Sequence, residues 1–327
     1  MKILRRWRPR IVRAVEAALA GDDRLAELLR YPLGLSDPGG GTGPGVGGKL
    51  VRPALTCFGC YALGGRVERA LPLAAALELV HNFSLVHDDI QDGDDLRRGR
   101  PTVWKAFGKA QAINVGDGLL VVALGAALRG GEGLDTEAVV AAGRSLLAAT
   151  YRMIEGQVLD LGLEGETDGG VEAYLTMARK KTGALLGCGL ELGAVAAGMA
   201  ELAPAHREVG EVLGLAFQVG DDLLGIWGDP ERTGKPAGGD LMRRKRSWPL
   251  SFALERDPGF GELLNQHPVP VERLLERLES LGARRAAQAA VEDYCRQART
   301  LAQGLPWQPP AHRDFEELLN FLVQREV

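Results

Sequence analysis

Apolar residues recur at helical spacing along almost the whole chain, and that pattern narrows the possible folds at once. In "RPRIVRAVEAALAGDDRLAELLR", Ile11, Val12, Val15, Ala18 and Leu19 fall on one stripe of a 3.6-residue period. The spacing returns in "ALPLAAALELVHNFSLVHDD", "TEAVVAAGRSLLAATYRMIEG", "VGEVLGLAFQVGDDLLGIW" and "PVERLLERLESLGARRAAQAAVEDYCRQARTLA". Few stretches alternate with period two or cluster β-branched residues as strands do. Breakers rich in glycine and proline separate the segments at 32–48, 130–133, 165–170, 228–239 and 258–270. An all-α protein of roughly ten or more helices is expected, more than a four-helix bundle uses. No shift in composition marks a boundary and no short repeat appears, so residues 1–327 are expected to form one domain.

With 46% apolar and 25% charged residues, the chain has ordinary globular composition and enough apolar material for a large core. A formal net charge of -4 excludes a general nucleic-acid binder, which would be basic. The longest uninterrupted apolar runs, such as "LLVVALGAAL", are too short to span a bilayer, so no stable membrane insertion is expected. The opening "MKILRRWRPRIVRAVEAALA" is basic and charges interrupt it, which suits an amphipathic helix and not a secretory signal. Cys57 and Cys60 form a lone C-x-x-C, with Cys188 and Cys295 far away. No second nearby pair completes a zinc site, so buried thiols in a reducing cytoplasm are expected.

"GPGVGGKL" (Gly43 to Leu50) reads G-x-x-x-x-G-K, one residue short of a nucleotide-binding phosphate loop. Such a loop ends in Ser or Thr and follows a strand. Here Leu50 stands at the hydroxyl position, and "RYPLGLSDPGG" offers no strand. The glycine-rich loop therefore needs another explanation.

Two acidic clusters end apolar helical stretches. In "HDDIQDGDDLRRGRP", Asp88 and Asp92 share a helix face with Asp89 beside them, and Arg97, Arg98 and Arg100 follow at once. Carboxylates at the end of a buried stretch call for a cation. Oxygen-only ligands suit magnesium, which takes one or two carboxylates plus substrate phosphates. Arginines pair with phosphate through two hydrogen bonds. The second cluster, "FQVGDDLLGIWGDPERTGKPAGGDLMRRKRSWPL", repeats the logic with Asp221 and Asp222, then Lys235 and Lys245. Taken alone, either cluster could also be a solvated acidic helix end. Facing each other across a cavity, the two could hold several magnesium ions around one diphosphate.

These motifs, in this order from about Gly47 to Leu250, resemble the trans-isoprenyl diphosphate synthases, the head-to-tail polyprenyl synthetase family. The resemblance implies an all-α single-domain bundle around a deep central cavity, usually a homodimer. It also answers the question of the glycine loop. "GGKLVRP" looks like the family's G-G-K-x-x-R-P segment, which implies that Lys49, Arg52, His81 and Arg98 hold the diphosphate of isopentenyl diphosphate. The loop then serves side-chain cations and not a backbone cradle.

For the allylic diphosphate, the resemblance implies metal binding by Asp88, Asp92 and Asp221, with Asp89 in support and roughly three magnesium ions to a site. Arg97, Lys181, Thr182, Gln218, Lys235 and Lys245 match positions that contact that substrate, Lys181 with a catalytic part. "EGQVLDL" also fits. One position departs: the second motif usually ends in a third aspartate, where this chain has Gly225. Asp229, eight residues after Asp221, is a poor helical substitute.

The implied chemistry is ionisation of the allylic diphosphate, its departing charge held by magnesium and cationic side chains, followed by attack of the isopentenyl double bond. The released diphosphate takes the proton, so no protein base is assigned. Phe83 lies five residues before Asp88, with the small Ser84 next to it. An aromatic there implies a geranylgeranyl (C20) product, with farnesyl (C15) as the alternative. A terpene cyclase or a head-to-head prenyl synthase would have no use for Lys49, Arg52, His81 and Arg98. A non-catalytic partner subunit is the rival that Gly225 motivates, and a helical binding protein with acidic patches is a third reading.

Overall fold

The expected helices form, and they join into longer rods than the apolar runs alone indicate. A computed structural model of the chain describes residues 2–130, 133–164, 166, 169–228 and 238–324. Helices α1 (Lys2–Arg6), α2 (Arg8–Ala18), α3 (Arg24–Arg30), α4 (Val51–Ala62) and α5 (Val67–Asp92) come first. Next are α6 (Val103–Phe107), α7 (Lys109–Arg129), α8 (Thr136–Leu163), α9 (Gly170–Ala178), α10 (Ala184–Ala196) and α11 (Ala203–Trp227). After these come α12 (Gly239–Met242), α13 (Trp248–Arg256), α14 (Pro258–Leu264), α15 (Val271–Ser280), α16 (Ala283–Gln303) and α17 (Pro309–Val323). Among the described residues the only strands are β1 (Leu96–Arg97) and β2 (Arg100–Pro101), a two-stranded antiparallel ribbon.

Local signals set several helix ends. Asp23 caps α3 by accepting the Ala26 amide at 2.9 Å. Gly93 ends α5 in the left-handed region at φ 68°, a cost-free conformation for glycine. That stop leaves Asp88, Asp89 and Asp92 in the last turns of the helix.

The described residues fall into two compact units. The first comprises residues 1–150, 188–207 and 306–312. Its axis is α5, buried nearly all round through Leu73, Leu77, Leu79 and Val80, as a helix with no strong polar face must be. Helix α4 meets the C-terminal part of α10 through glycines: a methyl at Gly193 would lie 2.7 Å from the Thr56 carbonyl oxygen and 2.8 Å from the Cys60 amide. All four cysteines of the chain are free and buried. Burial pushes the Cys60 thiol up to about 12, so the C-x-x-C carries no reactive thiolate near neutral pH. Trp307 Nε1 donates to His206 Nε2 at 2.7 Å, tying residues 306–312 into this unit.

The second unit comprises residues 151–187, 208–305 and 313–327. Ile226, Leu241, Leu250, Phe260, Leu264, Leu274 and Leu278 form a core cluster in it. Each such side chain contributes about 1.5–3 kcal/mol by leaving water. Between α9 and α10 the chain widens into one π-helical turn, Arg179–Gly183, a feature that helical periodicity does not reveal and that often marks functional sites.

By length and composition, α5 and α7 are each apolar enough to cross a bilayer. A buried core helix meets the same criterion, so this does not overturn the expectation drawn from uninterrupted apolar runs. Helix α5 is spent on the core. Helix α7 leaves Ile113, Val121 and Leu128 49%, 69% and 61% exposed.

Candidate active site

In the first unit, the glycine-rich loop exists to let an arginine in. Arg98 sits in the turn between β1 and β2 at φ 54°, a left-handed conformation uncommon for arginine. Its guanidinium lies over Gly47 and Gly48, so close that a methyl on Gly48 would come within 2.8 Å of Cζ. Gly48 also has φ 78°, so both space and backbone geometry require glycine there. Arg8 fixes the loop from outside, donating to the Gly48 and Val46 carbonyl oxygens at 2.7 Å each. Lys49 follows directly, and Leu50, itself at φ 50°, starts the chain into α4 with Arg52 in its first turn.

Arg52 Nη1 donates to His81 Nε2 at 3.2 Å. An arginine can only donate, so Nε2 accepts and His81 carries its proton on Nδ1. Burial, then the charges of Arg52 and Arg98, hold the His81 pKa well below its ordinary value. His81 is thus neutral near pH 7. Glu78, buried one turn earlier on α5, balances these cations. Burial raises its pKa, the Arg52 charge opposes that rise, and Asn82 Nδ2 donates to it at 3.0 Å. The sequence reading missed Glu78. A glutamate inside the apolar "AALELV" was the available signal.

At the end of α5, Asp88 and Asp92 share a face, Asp88 partly buried and Asp92 exposed. Asp89 turns inward. Its Oδ1 takes Arg97 Nε at 2.7 Å and lies 2.6 Å from Nη2. Burial pushes the Asp89 carboxyl up and Arg97 pulls it back. Asp89 therefore positions Arg97, and Asp88 and Asp92 are the carboxylates presented at the negative end of the helix dipole. Two like charges at that end disfavour the helix unless a cation joins them, and this donor set fits magnesium.

Phe83 is buried and meets the His87 ring edge to face, with centroids 5.0 Å apart. The Ser84 hydroxyl donates back to the His81 carbonyl oxygen at 2.8 Å. A cavity of about 260 Å³ in this unit is lined by Leu85, Val86, Asp89, Arg97 and Arg98 among others.

In the second unit, the π-turn carries Lys181 and Thr182. Lys181 Nζ meets the buried carboxylate of Asp160 at 2.5 Å, which fixes the lysine from the "EGQVLDL" segment. Thr182 Oγ1 donates to Gln218 Oε1 at 2.5 Å, and Gln218 Nε2 donates to Asp222 Oδ1 at 2.9 Å. Asp222 Oδ2 accepts the Trp248 amide at 2.8 Å. Burial pushes the Asp222 carboxyl up to about 7. Both oxygens of Asp222 are thus committed to positioning, and Asp221 is its neighbour on the same helix end. Lys245 lies partly buried, its amide on the Asp240 carbonyl oxygen at 2.9 Å. Lys235 and Asp229 lie outside the described residues.

The sequence matches the family described as polyprenyl synthetase over residues 44–276. It is 41% identical over 295 residues to a geranylgeranyl diphosphate synthase of Mycobacterium tuberculosis, covering 87% of this chain and 82% of the relative. It is 37% identical over 320 residues to a (2E,6E)-farnesyl diphosphate synthase of the same organism, covering 94% and 88%. A crystal structure of a polyprenyl synthetase from Streptomyces coelicolor A3(2) superposes with a TM-score of 0.91 at 36% identity, over 98% of both chains. The chain belongs to the polyprenyl synthetase family, the trans-prenyltransferases.

Proposed function

We propose that the chain condenses isopentenyl diphosphate head to tail with an allylic diphosphate, with geranylgeranyl diphosphate (C20) as its product, and that both units serve one catalytic domain. The observation that carries this reading is the pairing, on α5 and the segments beside it, of a cationic pocket with an acidic helix end. Lys49, Arg52 and Arg98, with neutral His81, suit the diphosphate of isopentenyl diphosphate. A reaction without that second diphosphate would not need them.

On this reading Asp88, Asp92 and Asp221 would hold magnesium, which supplies charge stabilisation to the departing diphosphate. Arg97 stands oriented by Asp89 to share that charge, and Lys181 by Asp160. Thr182 and Gln218, bonded to each other with Asp222 fixing the Gln218 amide, would contact the allylic diphosphate. Lys235 and Lys245 complete the cationic set. The departing diphosphate takes the proton, so no side chain serves as base.

Phe83, one and a half helical turns before Asp88 and closed by His87, is proposed as the floor for the growing chain. The relatives' names leave product length open, since a C15 and a C20 synthase resemble the chain almost equally. The test is mass spectrometry of products from isopentenyl diphosphate and dimethylallyl, geranyl or farnesyl diphosphate, with magnesium or chelator. A magnesium-dependent C20 diphosphate is expected, and Phe83→Ala should shift it to longer chains. A C15 product would move the floor elsewhere. No elongation from any primer would favour a partner subunit.

Helix α8 supports a homodimer. Val140, Leu147, Tyr151, Ile154, Val158 and Leu161 are all more than a third exposed and follow steps of seven, four, three, four and three. That is the spacing of a helix seam that pairs with another helix. Val158→Glu with Tyr151→Glu should convert the particle to a monomer in light scattering. A variant that stays dimeric would remove α8 from the interface. Four unpaired buried thiols favour the cytoplasm as its compartment.

A further inference from the structure

The basic opening of the chain forms a surface that the proposed reaction does not use. Residues 1–13 hold Lys2, Arg5, Arg6, Arg8, Arg10 and Arg13 and no acid. The whole chain has a formal net charge of -4, so +6 here leaves -10 for the rest. These residues form α1 and the start of α2, in the first compact unit. Ile3, Trp7, Ile11 and Val15, four apart, are all buried, so one apolar stripe runs through both helices and fastens them to the core. Trp7 meets the Tyr61 ring of α4, with centroids 5.6 Å apart.

The cations divide by what they touch. Arg8 is committed to the glycine-rich loop, and Arg10 pairs with Glu68 on α5. Lys2, Arg5, Arg6 and Arg13 are exposed. At about 100° per residue these four fall within one arc of about 100°, on the side opposite the buried stripe. From Lys2 to Arg13 the row is about 17 Å long. Arg5 and Arg13 form no ion pair among the described residues. Arg66, exposed at the start of α5 beside Glu68, continues the patch. The first acid on this side is Glu16, a turn beyond Arg13.

We propose that this face docks the protein on an anionic phospholipid surface, lying flat without inserting. The apolar stripe is spent on the protein core, so only charge is left to make the contact. A straight row of cations suits a plane of phosphate headgroups. The rest of the chain is net negative, so the charge asymmetry turns this side toward such a surface. Pro9 and Ala17, exposed beside the cations, offer a base nothing to bond or stack on, so a nucleic acid is the poorer fit. On the proposed reaction, the product is an amphiphile whose tail leaves water for a bilayer, so docking brings release close to that destination. The docking itself does not rest on that reading.

The test is cosedimentation of the full-length protein with vesicles of phosphatidylcholine, alone or mixed with phosphatidylglycerol, at low and high salt. Binding to the phosphatidylglycerol vesicles only, lost at high salt, is expected. Each cation near an anionic surface is worth about five-fold in partitioning, so Arg5→Gln with Arg13→Gln should weaken binding about 25-fold. Arg285→Gln with Arg296→Gln, at two exposed positions of α16, removes the same charge and should leave binding unchanged. Thermal melting should match wild type throughout. No binding to either vesicle, equal binding to both, or equal losses in the two double variants would overturn the proposal. Capture by RNA without capture by vesicles would give this face to a nucleic acid and overturn it as well. Primer elongation in solution is a separate readout. An active enzyme that ignores vesicles sinks the docking alone, and a protein that docks but elongates nothing sinks the reaction alone.

Discussion

Replacing Asp88 with asparagine should cut turnover about 10³-fold while leaving the melting transition where it is. Asp88 is partly exposed at the end of α5, on the face it shares with Asp92. The helix dipole and the neighbouring carboxylate disfavour its charge and the Arg97 charge favours it, so removing that charge should change stability little. All of the loss should fall on the reaction. Asp89→Asn, one residue away, should behave oppositely. Asp89 is buried and holds Arg97, so its variant should lose about 2 kcal/mol of stability, the worth of hydrogen bonds between charged groups. Its turnover should fall only as far as Arg97 drifts. Urea midpoints and steady-state kinetics on the two variants decide the matter. If Asp88→Asn retains turnover, the acidic helix end is a solvated terminus and the proposed magnesium site is wrong. If Asp88→Asn and Asp89→Asn lose stability alike, the division of labour between them is wrong.

That division is a good measure of what the sequence can and cannot disclose. Helical spacing disclosed the all-α class, because a single buried stripe repeats over long segments and no competing period appears. Motif order brought out the acidic and basic residues, because their chemistry depends on residue type and short spacing. The positioning partners stayed hidden. Asp160 lies 21 residues from Lys181, and nothing local says that its carboxylate meets that ammonium. Glu78 reads as one more residue of an apolar helix until Arg52 and Asn82 are seen around it. The glycine loop matches a phosphate cradle only in part, and Leu50 and the missing strand already spoke against one. Its purpose lies in Arg98, some 50 residues later, which needs Gly47 and Gly48 to approach. The π-turn escaped for a different reason. One widened turn leaves the apolar stripe nearly in phase, so periodicity cannot detect it.

That turn also makes Gly156→Ala the most damaging single methyl that can be added to the second unit's described glycines near the proposed site. A methyl at Gly156 would lie 2.5 Å from Lys181 Cα and 2.7 Å from the carbonyl carbon of Lys180. Both are main-chain atoms, so no rotamer change relieves the overlap. Either α8 or the π-turn must move, at a cost of about 3 kcal/mol, the upper end for overpacked cores. The displaced residues are Lys181 and Thr182, whose partners Asp160 and Gln218 are held elsewhere. A shift of about 1 Å there is expected to cost roughly 10²-fold in turnover. Gly162, on the same helix, supplies the contrast. Nothing lies within 4 Å of a methyl at that position. Gly162→Ala should therefore stabilise by up to about 1 kcal/mol through helix propensity alone and leave turnover unchanged. Opposite shifts in the two urea midpoints, with loss of activity in Gly156→Ala only, would tie the reactivity of Lys181 to the close approach of α8. Equal and small effects would show that the turn tolerates separation from α8, and that the backbone contact at Gly156 does not set the position of Lys181.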